Sequence, residues 1–192
     1  MHATSFHGRA TASPHGAIGH GCVSETNFRV GAMRIIILIV LLLMPNAAFG
    51  TEKADMVLVI KSESKLYLLK NDSILKVYRV AFGANPRGHK RQEGDKKTPE
   101  GRYLLDYKNT DSAFYKSIHI SYPNENDKKQ AKQSGVDPGG LIMIHGQKNG
   151  FGRFAGIIQR FNWTDGCIAV SNRAMDEIWE AVTVGTPIEI KP

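Results

Sequence analysis

The sequence predicts a mainly β domain with two or three short helices, and three observations carry that reading. Short β-branched and apolar runs recur from residue 56 to the C-terminus, separated by polar turns rich in Gly and Pro. These runs follow one another in hairpin-like series and do not alternate with long helices, which argues against a doubly wound sheet. Helical spacing or helix-end signals mark only a few short segments.

The elements follow in order. MVLVIKS (56–62) is β-branched and apolar, a strand. KLYLLKN (65–71) follows a short polar turn at Glu63-Ser64, so the two form a hairpin. SILKVYRVAFG (73–83) is a third strand ended by glycine. The Gly/Pro/charged stretch at 83–97 is a long loop, and its basic run HKRQEGDKK (89–97), broken by Glu93 and Asp95, reads as solvated. TPEGRYLLDYKN (98–109) reopens as a strand after a Pro-Glu-Gly turn, and YKSIHISYP (115–123) is another that stops at proline. NENDKKQAKQSG (124–135) starts on a capping Asn and ends on Gly, a short helix. GLIMIHG (140–146) is a buried strand running into glycine. RFAGIIQRF (153–161) places apolar residues at 154, 157, 158 and 161, the spacing of an amphipathic helix. NRAMDEIWEAV (172–182) predicts a helix with Asn172 as N-cap and Met175, Ile178, Trp179 and Val182 on one face. GTPIEIKP (185–192) is a closing strand.

The first 50 residues differ in kind. IIILIVLLLM (35–44) is a continuous apolar run, too short for a span of roughly 20 residues but suited to the core of a secretory signal. Arg34 supplies the positive flank, and Ala48-Phe49-Gly50 places small residues at −3 and −1 of a cleavage site. Residues 33–50 therefore predict a signal peptide and 1–32 an upstream-start artefact or disordered leader; a buried helix over 35–44 is the alternative. The expected location is periplasmic or secreted, with membrane contact only through the transient signal peptide. The chain carries a formal net charge of +7. A cationic excess persists after residue 50 and favours an anionic polymer such as a cell wall. No motif with interleaved aromatics points to nucleic acid. The glycines at 146–156 match neither GxGxxG nor a Walker A loop, so nothing calls for a nucleotide or other cofactor.

Cysteine usage sharpens the functional question. The chain has Cys22 and Cys167. Loss of the leader would leave one thiol and no internal disulfide. That thiol is then an inert buried group, an intermolecular bridge or a nucleophile. Cys167 follows Asp165-Gly166 and precedes an apolar run; an Asp-Gly turn can aim consecutive backbone N–H groups one way and so hold an oxyanion. His145 ends an apolar strand next to Gly146, where it can face a cleft and take the thiol's proton. A zinc site from His119, His145, Cys167 and a carboxylate lacks ligand pairs of the usual short spacing, so no metal is expected.

These residues carry a resemblance. Ile144-His145-Gly146, followed some 20 residues later by TDGCIAV (164–170), resembles the HG…S/TxGC signature of YkuD-type L,D-transpeptidases and is most similar to their YafK-like branch. GDKKTPEGRY (94–103), SIHISYP (117–123) and DEIWEAVTVGTPIEI (176–190) are similar to the same branch, so the resemblance covers about 56–191. It implies a mainly β, sandwich- or barrel-like catalytic domain over those residues. The implied partner is the peptide stem of peptidoglycan, and in one reading a wall-attached protein. The resemblance also implies Cys167 as nucleophile, His145 as general base and the amides around Gly166 and Cys167 as oxyanion hole. A thiol beside such donors is expected to have a depressed pKa. Asp165 is a candidate to orient the turn. Gly146, Thr164, His119, Trp163 and Arg153 are candidate substrate contacts, His119 lying beside Tyr122. The chain departs from the commoner SxGCxR form at Thr164 and Ala169. Threonine keeps a hydroxyl, but Ala169 lacks the guanidinium that can clamp a carboxylate or anchor the turn; Arg153 or Arg160 is the candidate replacement. The acceptor side is thereby open to an amine, as in transpeptidation, or to water, as in a hydrolase. A non-catalytic wall-binding module is the remaining class.

Overall fold

Alternation along the strands builds the core. In the computed structural model, which describes residues 52–192, β1 (Met56–Ile60) buries Val57 and Val59 while β2 (Lys65–Lys70) buries Leu66 and Leu68. β3 (Ser73–Arg79) completes an antiparallel meander with them. β4 (Gly101–Ser112) and β5 (Tyr115–Ile120) form a second hairpin. β6 (Met143–His145), β7 (Ile168–Ala169) and β8 (Thr186–Lys191) complete one eight-stranded sheet in the order β3-β2-β1-β8-β4-β5-β6-β7. The β1–β8 and β6–β7 pairs are parallel and the rest antiparallel. Beyond β3, isolated bridges join Ala81 to Ala169 and Gly83 to Thr164, so the sheet curls back on itself. The architecture is thus the mainly β, curled form expected, with three short helices among the described residues. The expected leader (1–32) and signal peptide (33–50) lie outside the described residues.

The first helix, α1 (Glu125–Ser134), opens on Asn124 in a capping box with Asp127 and closes on Gly135 in the left-handed region, as its sequence predicts. The segment expected to be one helix over 153–161 is instead a 3₁₀ turn (Gly152–Phe154) and a single turn, α2 (Ala155–Ile158). Phe154, Ile157 and Phe161 stay exposed, so no packing repays helix nucleation, and Gly152 and Gly156 weaken it further. The last helix, α3 (Asn172–Ala181), buries Met175 and Ile178 against the core. Its N-cap is Ser171, whose hydroxyl accepts from Ala174 N, and not Asn172.

The basic loop is solvated as expected at Arg91, Gln92, Glu93, Gly94 and Lys96, but not at Lys90. Lys90 is only 3% exposed and donates to Asp95 and to the Gln92 carbonyl. Asp95 in turn accepts from the N–H groups of Arg91, Gln92 and Lys97. His89 accepts from Glu100 N through Nδ1, so its Nε2 carries the proton that faces Asp127 at 3.2 Å. Among the described residues no helix is long and apolar enough to cross a membrane.

Candidate active site

Cys167 stands at the foot of β7, in a turn that only glycine can make. Gly166 has φ +131°, and a Cβ there would lie 2.6 Å from the Lys97 carbonyl oxygen. Thr164 ties the turn together. Its Oγ1 donates to the Cys167 carbonyl at 2.8 Å and accepts from Gly166 N at 3.2 Å. The bonds that hold the turn therefore come from Thr164 and not from Asp165. With Gly166 N engaged, the Asp165 and Cys167 N–H groups are, among the described residues, the turn amides left without an acceptor, and of the two the Cys167 N–H adjoins the thiol.

Parallel pairing of β6 with β7 sets His145 opposite Ala169, which brings Cys167 level with Met143. The thiol sulfur accepts from Met143 N at 3.4 Å, and Sγ lies 3.6 Å from the Leu141 carbonyl, to which it donates. His145 Nδ1 lies 2.6 Å from the Gly146 carbonyl oxygen. A carbonyl only accepts, so Nδ1 bears the proton and Nε2 keeps its lone pair, the form a general base needs. Gly146 is fixed as glycine because a Cβ would meet Asn172 Oδ1 at 2.8 Å and Tyr115 Cβ at 2.9 Å. The imidazole is 4% exposed and held between aromatic rings, Phe114 at 4.7 Å and Trp163 at 5.8 Å between centroids.

Cys167, His145, Thr164, Asp165 and Trp163 line one cleft of about 260 Å³, with Phe114, Ser112, Ser117, Leu141 and Met143. Burial pushes the Cys167 thiol above its ordinary value of 9.0; the Met143 N–H opposes this, the Asp165 carboxylate adds to it and the Lys90 ammonium opposes it. The expected depression of this pKa is thereby reversed: a half-buried sulfur with a carboxylate nearby is a poor place for a second negative charge. Burial also pushes His145 below 6.5, against the Gly146 carbonyl, which favours the cation. At neutral pH both groups are uncharged.

Two expected contacts lie elsewhere. His119 does not line the cleft; its Nδ1 is 2.7 Å from Asp106 and its ring stacks on Tyr107 at 4.5 Å. Arg153 is exposed over the Phe154 ring at 4.8 Å, and Arg160 lines a different cavity. Ala169 is fully buried in β7, so the position two residues after the thiol offers the cleft no cation. Phe114 and Lys90 went unnoticed in the sequence. Phe114 is one aromatic in a hairpin turn, and the run around Lys90 contains the carboxylate, Asp95, that buries it. Among the described residues no group of three or more His, Cys, Asp or Glu is placed to hold a metal ion.

A curled β sheet that sets a thiol and a neutral imidazole in one aromatic-walled cleft has a layout open to cysteine-dependent acyl chemistry. Residues 54–190 match the YkuD family model, the L,D-transpeptidase catalytic domain, and the chain belongs to that family. It is 30% identical over 112 residues to the Escherichia coli K12 protein named "Putative L,D-transpeptidase YafK", a match covering 57% of this chain and 38% of that one. The helical cell shape determining protein Pgp2 of Campylobacter jejuni is similar in structure, at a TM-score of 0.54 and 27% identity over 71% of this chain and 48% of Pgp2. A point-mutant form of Pgp2 gives 0.56 and 26%, over 75% and 49%. The chain thus spans half or less of the length of these relatives.

Proposed function

We propose that this chain is an exported cysteine acyl-transfer enzyme acting on the peptide stems of peptidoglycan. The observation that supports it most is the shared cleft, with Cys167 and a His145 whose tautomer leaves Nε2 as the basic nitrogen. In this reading Nε2 removes the thiol proton as Sγ attacks the carbonyl of the third stem residue. The negative charge that forms on the carbonyl oxygen is held by the Cys167 N–H. Collapse breaks the bond to the terminal D-alanine, whose amine takes the proton from His145, and leaves a thioester. An amine acceptor then attacks that thioester, with His145 again as base; the C–S bond breaks, Sγ takes the proton back from His145, and the cross-link forms. Because both groups start neutral, proton transfer accompanies attack and no ion pair stands ready beforehand.

A buried Ala169 where the commoner pattern has arginine favours a second reading, hydrolysis. Transfer to an amine requires that the amine be held in attack geometry, and without that cation water competes better. Water then breaks the thioester C–S bond, releasing the stem as a tripeptide carboxylate and returning the thiol; where the amine expelled in the first step belongs to a protein attached to the wall, that first step has already released the protein. The test is to incubate the purified exported chain with tetrapeptide muropeptides, and with wall carrying a covalently attached protein, and to follow both protein and products by mass spectrometry. An acyl adduct on Cys167 with 3–3 cross-linked dimers supports transfer. The same adduct with tripeptide, alone or beside released protein, supports hydrolysis. No adduct and no turnover, with wall binding intact, would overturn both in favour of a binding module.

A further inference from the structure

Away from the cleft, a cavity of about 480 Å³ opens between β3 and the Ala155–Arg160 segment. Gln159 lines it, is only 8% exposed, and has no partner for either side-chain polar atom. A buried carboxamide left so is costly unless something else completes it. The opposite wall is β3, a terminal strand of the sheet. In an antiparallel ladder, alternate residues turn their N–H and C=O toward and away from the partner strand. Val80 N bonds Ser64 O, so Val80 and Tyr78 face β2, and Val77 and Arg79 face outward. The next outward residue, Ala81, exchanges both bonds with Ala169. Val77 and Arg79 thus continue a ladder that stops where the cavity begins, and both line it. The charged residues of the lining, Arg79 and Arg160, are cations with no ion-pair partner among the described residues.

We propose that this groove binds an extended acidic segment of a partner protein, which adds as a strand to β3 through Val77 and Arg79, with Gln159 bonding it from the far wall and Arg79 and Arg160 selecting carboxylates. Open strand edges recruit peptides in this way, main chain giving affinity and side chains specificity. The inference goes beyond acyl transfer and does not depend on Cys167 being reactive.

The probe is the peptide acetyl-Thr-Val-Glu-Val-Glu-Val-Thr-amide, titrated into isotope-labelled protein and followed by amide NMR and hydrogen exchange. The Val77 and Arg79 amides and the Gln159 side chain are expected to shift, and the two amides to gain exchange protection. The lysine-for-glutamate peptide is expected to bind about tenfold more weakly at low salt. Val77→Pro removes an N–H that β2 does not use; it is expected to keep its fold and lose binding about tenfold or more. Gln159→Leu is expected to melt at the same or a higher temperature yet bind more weakly. Arg160→Glu, a surface change that leaves folding intact, sets one carboxylate beside Arg79 and is expected to abolish the preference for the glutamate peptide. Cys167→Ala is expected to bind like wild type. Unchanged binding by folded Val77→Pro and Gln159→Leu, equal binding of the lysine peptide, or shifts confined to the Cys167 cleft would overturn the proposal. Shifts of the same amides by tetrapeptide muropeptides would also overturn it, by giving the groove to the wall.

Discussion

The neutral pairing of Cys167 and His145 decides how each should behave in isolation. A thiol whose pKa lies above 9.0 is almost wholly protonated at pH 7. Cys167 is therefore expected to react with iodoacetamide more slowly than a free model thiol, measured as a labelling rate on the folded protein. A faster rate would mean that an ion pair stands ready and that the neutral pair is wrong. His145→Ala should lose about 10²- to 10⁴-fold in turnover while keeping its melting temperature within a few degrees, the usual reach of a general base. His119→Ala should change activity little, since that ring is committed to Asp106 and Tyr107. The acid limb of the rate profile should lie below 6.5, because His145 must be neutral to act and burial holds its pKa down. The same shift sets a stability slope. Between the lowered folded value and 6.5 the unfolded chain binds more protons than the native one, so stability falls as pH drops through that window. A His145→Gln variant should show a shallower slope there in denaturant titrations.

Thr164 and Gly166 make the turn, and the turn shows what the sequence could and could not disclose at the scale of an element. Thr164→Val keeps the shape, removes two hydrogen bonds and leaves Gly166 N without its acceptor; a loss of about 1–3 kcal/mol is expected in chemical denaturation, with Thr164→Ser much closer to wild type. Gly166→Ala should do worse, since its φ and the Lys97 carbonyl both exclude a Cβ. Glycine before cysteine was legible as a turn, but the assignment of its anchor to Thr164 was not, because Asp and Thr side chains can each bond nearby backbone and only the fold decides which does. The helix starts tell the same story. Asn124 was legible as a cap, and Asp127 completes its box in the structure, whereas the reading of Asn172 as a cap passed over Ser171 beside it. Asn172 turned out to accept from Gln147 N and to stand against Gly146 and Gly152, contacts that come from distant chain. Apolar spacing over 153–161 was a true signal without a surface to bury it, and so made no long helix.

At the scale of the whole molecule, the strand series was legible because alternation reports one buried face, while the closure of the sheet was not, since bridges from Ala81 and Gly83 join residues some 80 positions apart. That closure has a consequence for motion. Four main-chain bonds form the seam: Ala81 N to Ala169 O, Ala169 N to Ala81 O, Ala84 N to Thr164 O, and Thr164 N to Phe82 O. They flank Cys167 on both sides, so the clasp that shuts the sheet is also the frame that aims the thiol. Opening of the seam and loss of the site should then be one event with one free energy. The amides of Ala81, Ala84, Thr164 and Ala169 are expected to exchange with deuterium as a single cooperative unit. Heating should abolish activity at the temperature where that unit opens, ahead of the global melt if the seam is the weaker part. Staggered protection of the four amides, or activity outlasting their exchange, would separate the clasp from the catalyst.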